Sequence, residues 1–219
     1  MSKSATSGAD VTTDVDDPSL ADVAGTRGLG PRTMGVLLVV LGTIGLVASA
    51  ALTIERYLTL IDPGHVLSCS LNVFIDCGAA MGSWQGSLLG FPNPVLGVAA
   101  FPVVITTGVV LLVGARLPRW YWLSLLAATT VALGLVVFLV WTSLYALVAL
   151  CPYCMVVWAV VWPLFWYQLV HALQEGHLPA GAGARRTLVG NRHIFVAIGY
   201  VALVAWVLLV MGPHLAASL

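Results

Sequence analysis

Apolar residues run along this chain in long, nearly unbroken stretches, unlike the alternation of a half-buried strand or the single stripe of a surface helix. The first, "TMGVLLVVLGTIGLVASAALTI" at 33–54, supplies the roughly 20 residues that a helix needs to cross a hydrocarbon core. A second run spans 95–114 and ends at "GARLPR". From Trp120 to Val170 no residue is charged. That length is too great for one crossing and suits two, so a tight reversal is expected near its middle, at Tyr145 to Cys151. A fifth run covers 193–211.

The polar segments set the boundaries. Residues 1–31 are rich in Ser, Thr, Gly and Asp and too poor in apolar residues to form a core, so they read as a disordered tail. No short apolar stretch with a cleavage site precedes the first run, so no removable signal peptide is expected. Between the first two runs, 55–94 carries the turn signals "DPGH" and "FPNP" and mixed polarity, and reads as a loop outside the membrane with some helix of its own.

Composition agrees with the pattern. The chain is 60% hydrophobic and 8% charged with a mean hydropathy of +1.00, against about 25% charged residues in an ordinary soluble domain. An all-α integral membrane protein with residues 32–219 as one transmembrane unit is the expectation, and nothing supports nucleic-acid binding. Eight of the nine basic residues (Lys3, Arg27, Arg32, Arg116, Arg119, Arg185, Arg186 and Arg192) fall on one side of the predicted spans and only Arg56 on the other. The positive-inside bias therefore puts the N-terminus in the cytoplasm and the 55–94 loop and the second reversal on the outer face of a cell membrane.

All four cysteines converge on that face, Cys69 and Cys77 in the loop, Cys151 and Cys154 in "CPYC" at the start of the fourth span. There disulfides form and persist. A C-x-x-C at a helix N-terminus has its thiol pKa lowered by the macrodipole and free N–H groups. Cys151, nearer water, suits exchange with another thiol; Cys154, one turn deeper, suits electron transfer to a membrane-soluble acceptor, for which a quinone is the natural candidate. Tyr153, Trp158 and Trp162 would form a flat slot for its ring, although tryptophans at this spacing also serve as packing or interfacial belt. Two other readings stay open. The cysteines would form structural disulfides, or a zinc site, though the spacings fit a zinc ribbon poorly and no metal is expected.

With these residues in place, the chain resembles the vitamin K epoxide reductase family in its bacterial branch. The resemblance covers about 33–172 and is carried by "CSLNVFIDC", "SWQGSLLGFPNPVLG" and "CPYC". It implies a four-helix bundle around a quinone, with the fifth span peripheral. It further implies that Cys154 acts on the quinone, that Cys151 resolves it, that Cys77 exchanges with Cys151 and that Cys69 meets the substrate protein. Ser83 matches a family position near the ring, and Asn93 matches the asparagine that hydrogen-bonds a quinone carbonyl. Trp158 stands where vertebrate members carry a tyrosine as a second carbonyl partner.

Many bacterial members carry a fused thioredoxin-like domain after the last helix. Here only "GPHLAASL" follows the fifth run, so a separate thioredoxin-like or DsbA-type protein is the expected partner, besides membrane lipid. Oxidation of that partner, not epoxide reduction, is the expected direction. Arginine predominates among the basic residues, as in a GC-rich genome, which favours menaquinone as acceptor with ubiquinone as the alternative. A DsbB-type oxidase would do the same work, but with the C-x-x-C in the first outer loop; here the order is reversed.

Overall fold

The computed structural model of the chain describes residues 28–62, 64–70 and 74–216. Most of the expected tail lies outside the described residues, but its last part is ordered: Leu29 is buried, and its N–H donates to Gln174 Oε1 at 3.2 Å. In chain order the helices are α1 (Pro31–Ile61), α2 (Cys77–Gly82), α3 (Pro94–Leu112), α4 (Arg119–Trp141), α5 (Pro152–Gln174), α6 (Ala182–Gly190) and α7 (Arg192–Ala216). A 3-10 turn at Trp84–Ser87 follows α2, and a π-helical turn at Thr142–Leu147 extends α4. Among the described residues, α1, α3, α4 with its π turn, α5 and α7 are long and apolar enough to cross a membrane. Apolar side chains such as Val36, Val47, Val131, Val201 and Leu209 face outward along them, as lipid contact requires.

The first helix runs beyond the predicted membrane exit. Glu55 and Arg56 are good helix formers, and the first breaker after them is Asp62, which precedes a proline and adopts extended geometry. The cysteine loop therefore begins at Asp62, and the last turns of α1 rise alongside it.

Helix α1 packs on α3 and α5, and α5 packs on α4. The α1–α3 contact is close because of two glycines: a Cβ on Gly108 would sit 2.7 Å from the Gly35 carbonyl oxygen, and one on Gly35 would sit 2.9 Å from that of Gly108. Small residues let backbones approach in this way where lipid offers no hydrophobic drive to association. Met34, Leu38, Phe101, Trp122, Val160 and Leu164 belong to one buried core that also takes in Val189 of α6. Helix α7 is peripheral, packing chiefly on α5, α6 and the π turn. It is pinned by Trp162 Nε1–H to the Val196 carbonyl at 3.1 Å and by the Tyr200 hydroxyl to the Ala159 carbonyl at 2.5 Å.

The predicted reversal between the third and fourth spans is made by Val148, with φ at 51°. A β-branched residue in the left-handed region carries strain of about 1–3 kcal/mol. Backbone bonds hold it there: Ala149 N–H donates to the Ser143 carbonyl at 3.2 Å, and Leu150 N–H to Phe74 at 2.8 Å.

Candidate redox site

The two cysteine segments are brought together by main chain. Leu150 N–H donates to the Phe74 carbonyl and Asp76 N–H donates back to the Leu150 carbonyl at 3.1 Å, a parallel bridge between Ile75 and Leu150. Each bridge residue precedes a cysteine by one or two positions. Beyond it Cys77 and Cys151 face each other, with their sulfurs 3.0 Å apart.

Cys77 is also disulfide-bonded to Cys69, while Cys151 and Cys154 are free thiols. Three sulfurs thus lie in sequence, packed with Leu52 and Met81, with Leu67, Tyr153 and Cys154 against them. Cys77 begins α2, and Asp76 caps that helix by accepting from the N–H groups of Gly78 and Ala79 at 3.0 Å each. The Ser70 hydroxyl also donates to Asp76. That bond, with the two N–H groups, holds the Asp76 carboxyl below its ordinary range against the opposing effect of burial. Asp76 therefore builds the cysteine helix, a use beyond its charge beside Cys77.

Cys151 is the N-cap of α5. Its thiol is pushed below the ordinary value, first by a hydrogen bond from the Cys154 thiol and then by the N–H groups of Cys154 and Tyr153, with burial and Asp76 opposing. The thiolate that attacks a disulfide is favoured at the sulfur next to Cys77.

Cys69 is only 4% exposed, so a bulky reagent from outside would reach it only after the loop moves. The loop is strapped to the top of α1: His65 Nε2 lies 3.1 Å from Glu55 Oε2, and the Ser68 hydroxyl donates to Glu55 Oε1. Ser68 Oγ also lies 3.5 Å from the Tyr153 hydroxyl, inside "CPYC". His65 is thus a strap residue bonded to Glu55.

Below the sulfurs a cavity of about 310 Å³ opens among α1, α3, α4 and α5, roofed by the α2 segment. Cys154 lines it, and so do Ser83, Asn93 and Trp158. Sequence reasoning placed these residues around one ligand, and the structure brings them to one cavity. Their hydrogen bonds differ. Asn93 Nδ2 donates to the Gln85 carbonyl at 2.6 Å and its Oδ1 accepts from Leu88 N–H at 3.2 Å, leaving one amide hydrogen over. Ser83 Oγ donates to the Ala80 carbonyl at 2.8 Å and accepts from Gly86 N–H at 3.2 Å. Trp158 is 3% exposed, and its Nε1–H has no partner among the described residues. Thr142 also lines the cavity, and its hydroxyl is buried without a partner among the described residues; nothing in "VWTSLYALVAL" marked it beforehand. A mostly apolar chamber with a few polar residues in its lining fits a flat ligand such as a quinone ring.

Trp162 belongs elsewhere, bonded to α7. Among the described residues no group of three His, Cys, Asp or Glu side chains is placed to hold a metal ion. Comparison with curated proteins found no match. The family model for the vitamin K epoxide reductase family matches residues 36–169, more than half of the chain and every residue of the site. Five spans, the two cysteine pairs and this match together mean that the chain belongs to the vitamin K epoxide reductase family and is a multi-pass membrane oxidoreductase.

Proposed function

We propose that the protein is a quinone-dependent thiol–disulfide oxidoreductase that reoxidises a separate thioredoxin-like (DsbA-type) protein on the outer face of the cell membrane, with menaquinone as acceptor. The observation that carries this reading is the line of sulfurs: Cys69 bonded to Cys77, Cys77 in contact with Cys151, and Cys154 at the cavity.

In this reading a partner thiolate attacks Cys69, which releases Cys77 as a thiolate, and the partner's second cysteine closes the partner disulfide. Cys77 then attacks a Cys151–Cys154 disulfide at Cys151, freeing Cys154. Cys69 displaces Cys151 from Cys77, which restores the loop disulfide and leaves Cys151 and Cys154 as thiols. The bonding pattern in the structure corresponds to this point in the cycle. A quinone bound in the cavity supplies an acceptor for two electrons and two protons, and the Cys151–Cys154 disulfide is remade. Asn93, through its remaining amide hydrogen, and Trp158 are assigned to the carbonyls, and Ser83 to shaping the roof.

The test is quinone reduction by purified protein, followed by absorbance, with a reduced thioredoxin-like donor or a small dithiol. Turnover is expected to require Cys154 with either donor, and Cys69 more strictly with the protein donor. Wild type that reduces no quinone with any dithiol would remove the proposal.

A further inference from the structure

Arg56 is the one basic residue that the charge pattern puts on the outer face. It lies on the part of α1 that continues past the predicted exit, and it lines the same cavity as Cys154 and Trp158. Leu52, one turn earlier on the same helix face, packs against Cys69, Cys77 and Cys151. Arg56 thus lies one helical turn beyond the residue that packs with the sulfurs.

It has no anion to answer it. Three carboxylates belong to this face, and each is engaged elsewhere: Glu55 with His65 and Ser68, Asp76 with the α2 N–H groups and Ser70, and Asp62 with Gly64 N–H at 2.9 Å. Among the described residues Arg56 forms no ion pair, and its Nε is buried with no hydrogen-bond partner. The side chain is half-buried with only its Nε fully enclosed, which leaves the outer guanidinium nitrogens free to pair with an anion in the mostly apolar cavity.

We infer that Arg56 is an anion-recognising residue of the acceptor site: it pairs with the negative charge that acceptor oxygens take on as electrons arrive from Cys154, and it makes the cavity selective for acidic, enolate-bearing ring ligands over neutral ones of the same shape. This rests on the quinone reading above and names a charge preference which that reading does not require. A neutral quinone needs only a hydrogen-bond donor, which the remaining amide hydrogen of Asn93 offers. The guanidinium acts when charge develops, and a fixed charge already in place needs no reorganisation at that moment.

The experiment compares two naphthoquinones in nanodiscs of one zwitterionic lipid: 2-methyl-1,4-naphthoquinone, which is neutral, and 2-hydroxy-1,4-naphthoquinone, which is an anion at neutral pH. Binding is read by quenching of tryptophan fluorescence, since Trp158 lines the cavity. The ratio of the two affinities in wild type is expected to exceed that in Arg56→Gln by about tenfold or more in favour of the anion, with Arg56→Lys retaining part of the preference. In wild type alone, acidification that protonates the hydroxyquinone is expected to remove its advantage, which keeps the test valid if Arg56→Gln fails to fold. An unchanged affinity ratio in Arg56→Gln, or no effect of ligand protonation in wild type, overturns the role of Arg56 while leaving the quinone reading intact. Binding of neither ring by wild type would instead count against the quinone site itself.

Discussion

The two walls of the cavity differ in how their polar groups are satisfied. On the roof side, Ser83 and Asn93 spend their side chains on the roof's own backbone, on Ala80, Gly86, Gln85 and Leu88. On the helix side, Arg56, Thr142 and Trp158 each keep a buried donor without a partner among the described residues. A satisfied group contributes to stability whether or not a ligand is present. An unsatisfied one costs stability until a ligand arrives, because burial removes water and returns nothing. The roof wall is satisfied by its own backbone, and the helix wall is not.

The sharpest way to break this picture is at the sulfur that joins the walls. Cys154→Ser is expected to lower quinone reduction by at least about a thousandfold while the Cys69–Cys77 disulfide persists by peptide mapping; retained turnover would place the acceptor elsewhere. Asn93→Ala and Thr142→Val then separate the walls. Asn93→Ala, which removes two hydrogen bonds, is expected to cost about 1–3 kcal/mol of stability and to weaken quinone binding. Thr142→Val, which removes an orphan hydroxyl with little change of shape, is expected to leave the melting temperature level or raised and to weaken quinone affinity by several-fold. A melting loss for Thr142→Val equal to that for Asn93→Ala would erase the distinction.

A smaller effect concerns Asp76. Replacement by Ala is expected to cost about 1 kcal/mol through the lost cap. Because the folded state holds this carboxyl below its ordinary value near 3.8, mainly through Ser70, the stabilisation is present above that value and is lost as pH falls through the lower folded one. Acid titration of wild type should show this loss, and Asp76→Ala should lack it. A related shift belongs to Cys151, whose lowered pKa depends first on Cys154. The pH midpoint of its exchange with Cys77 is expected below that of an ordinary thiol, and Cys154→Ala is expected to raise it. The smallest effect is at the strap: Glu55→Gln weakens the hold on His65 and Ser68, and a few-fold faster reaction of the loop disulfide with a protein dithiol is expected, with little change for a small dithiol.

The spans were legible because their signal is length: about 20 apolar residues leave a chain few alternatives in lipid, and the charge-free stretch from Trp120 forced a reversal where Val148 makes it. The extension of α1 was not legible, since Glu55 and Arg56 signal departure from hydrocarbon but do not end a helix. The cysteines stood out by spacing, and the resemblance ordered them. What sequence could not supply was hydrogen-bond accounting. Asn93 reads the same whether its amide meets a ligand or Gln85, and Thr142 reads as ordinary packing until every neighbouring acceptor has a position.

The central claim is that electrons pass between the loop and the helix through the Cys77–Cys151 contact. The most direct test is non-reducing peptide mapping of Cys154→Ala, held with an alkylating agent that consumes Cys69 thiol as it is released. With no Cys154 to resolve it, the attack of Cys151 on Cys77 is expected to leave a Cys77–Cys151 bridge and alkylated Cys69. Recovery of Cys151 as an alkylated thiol beside an intact Cys69–Cys77 disulfide would contradict the relay.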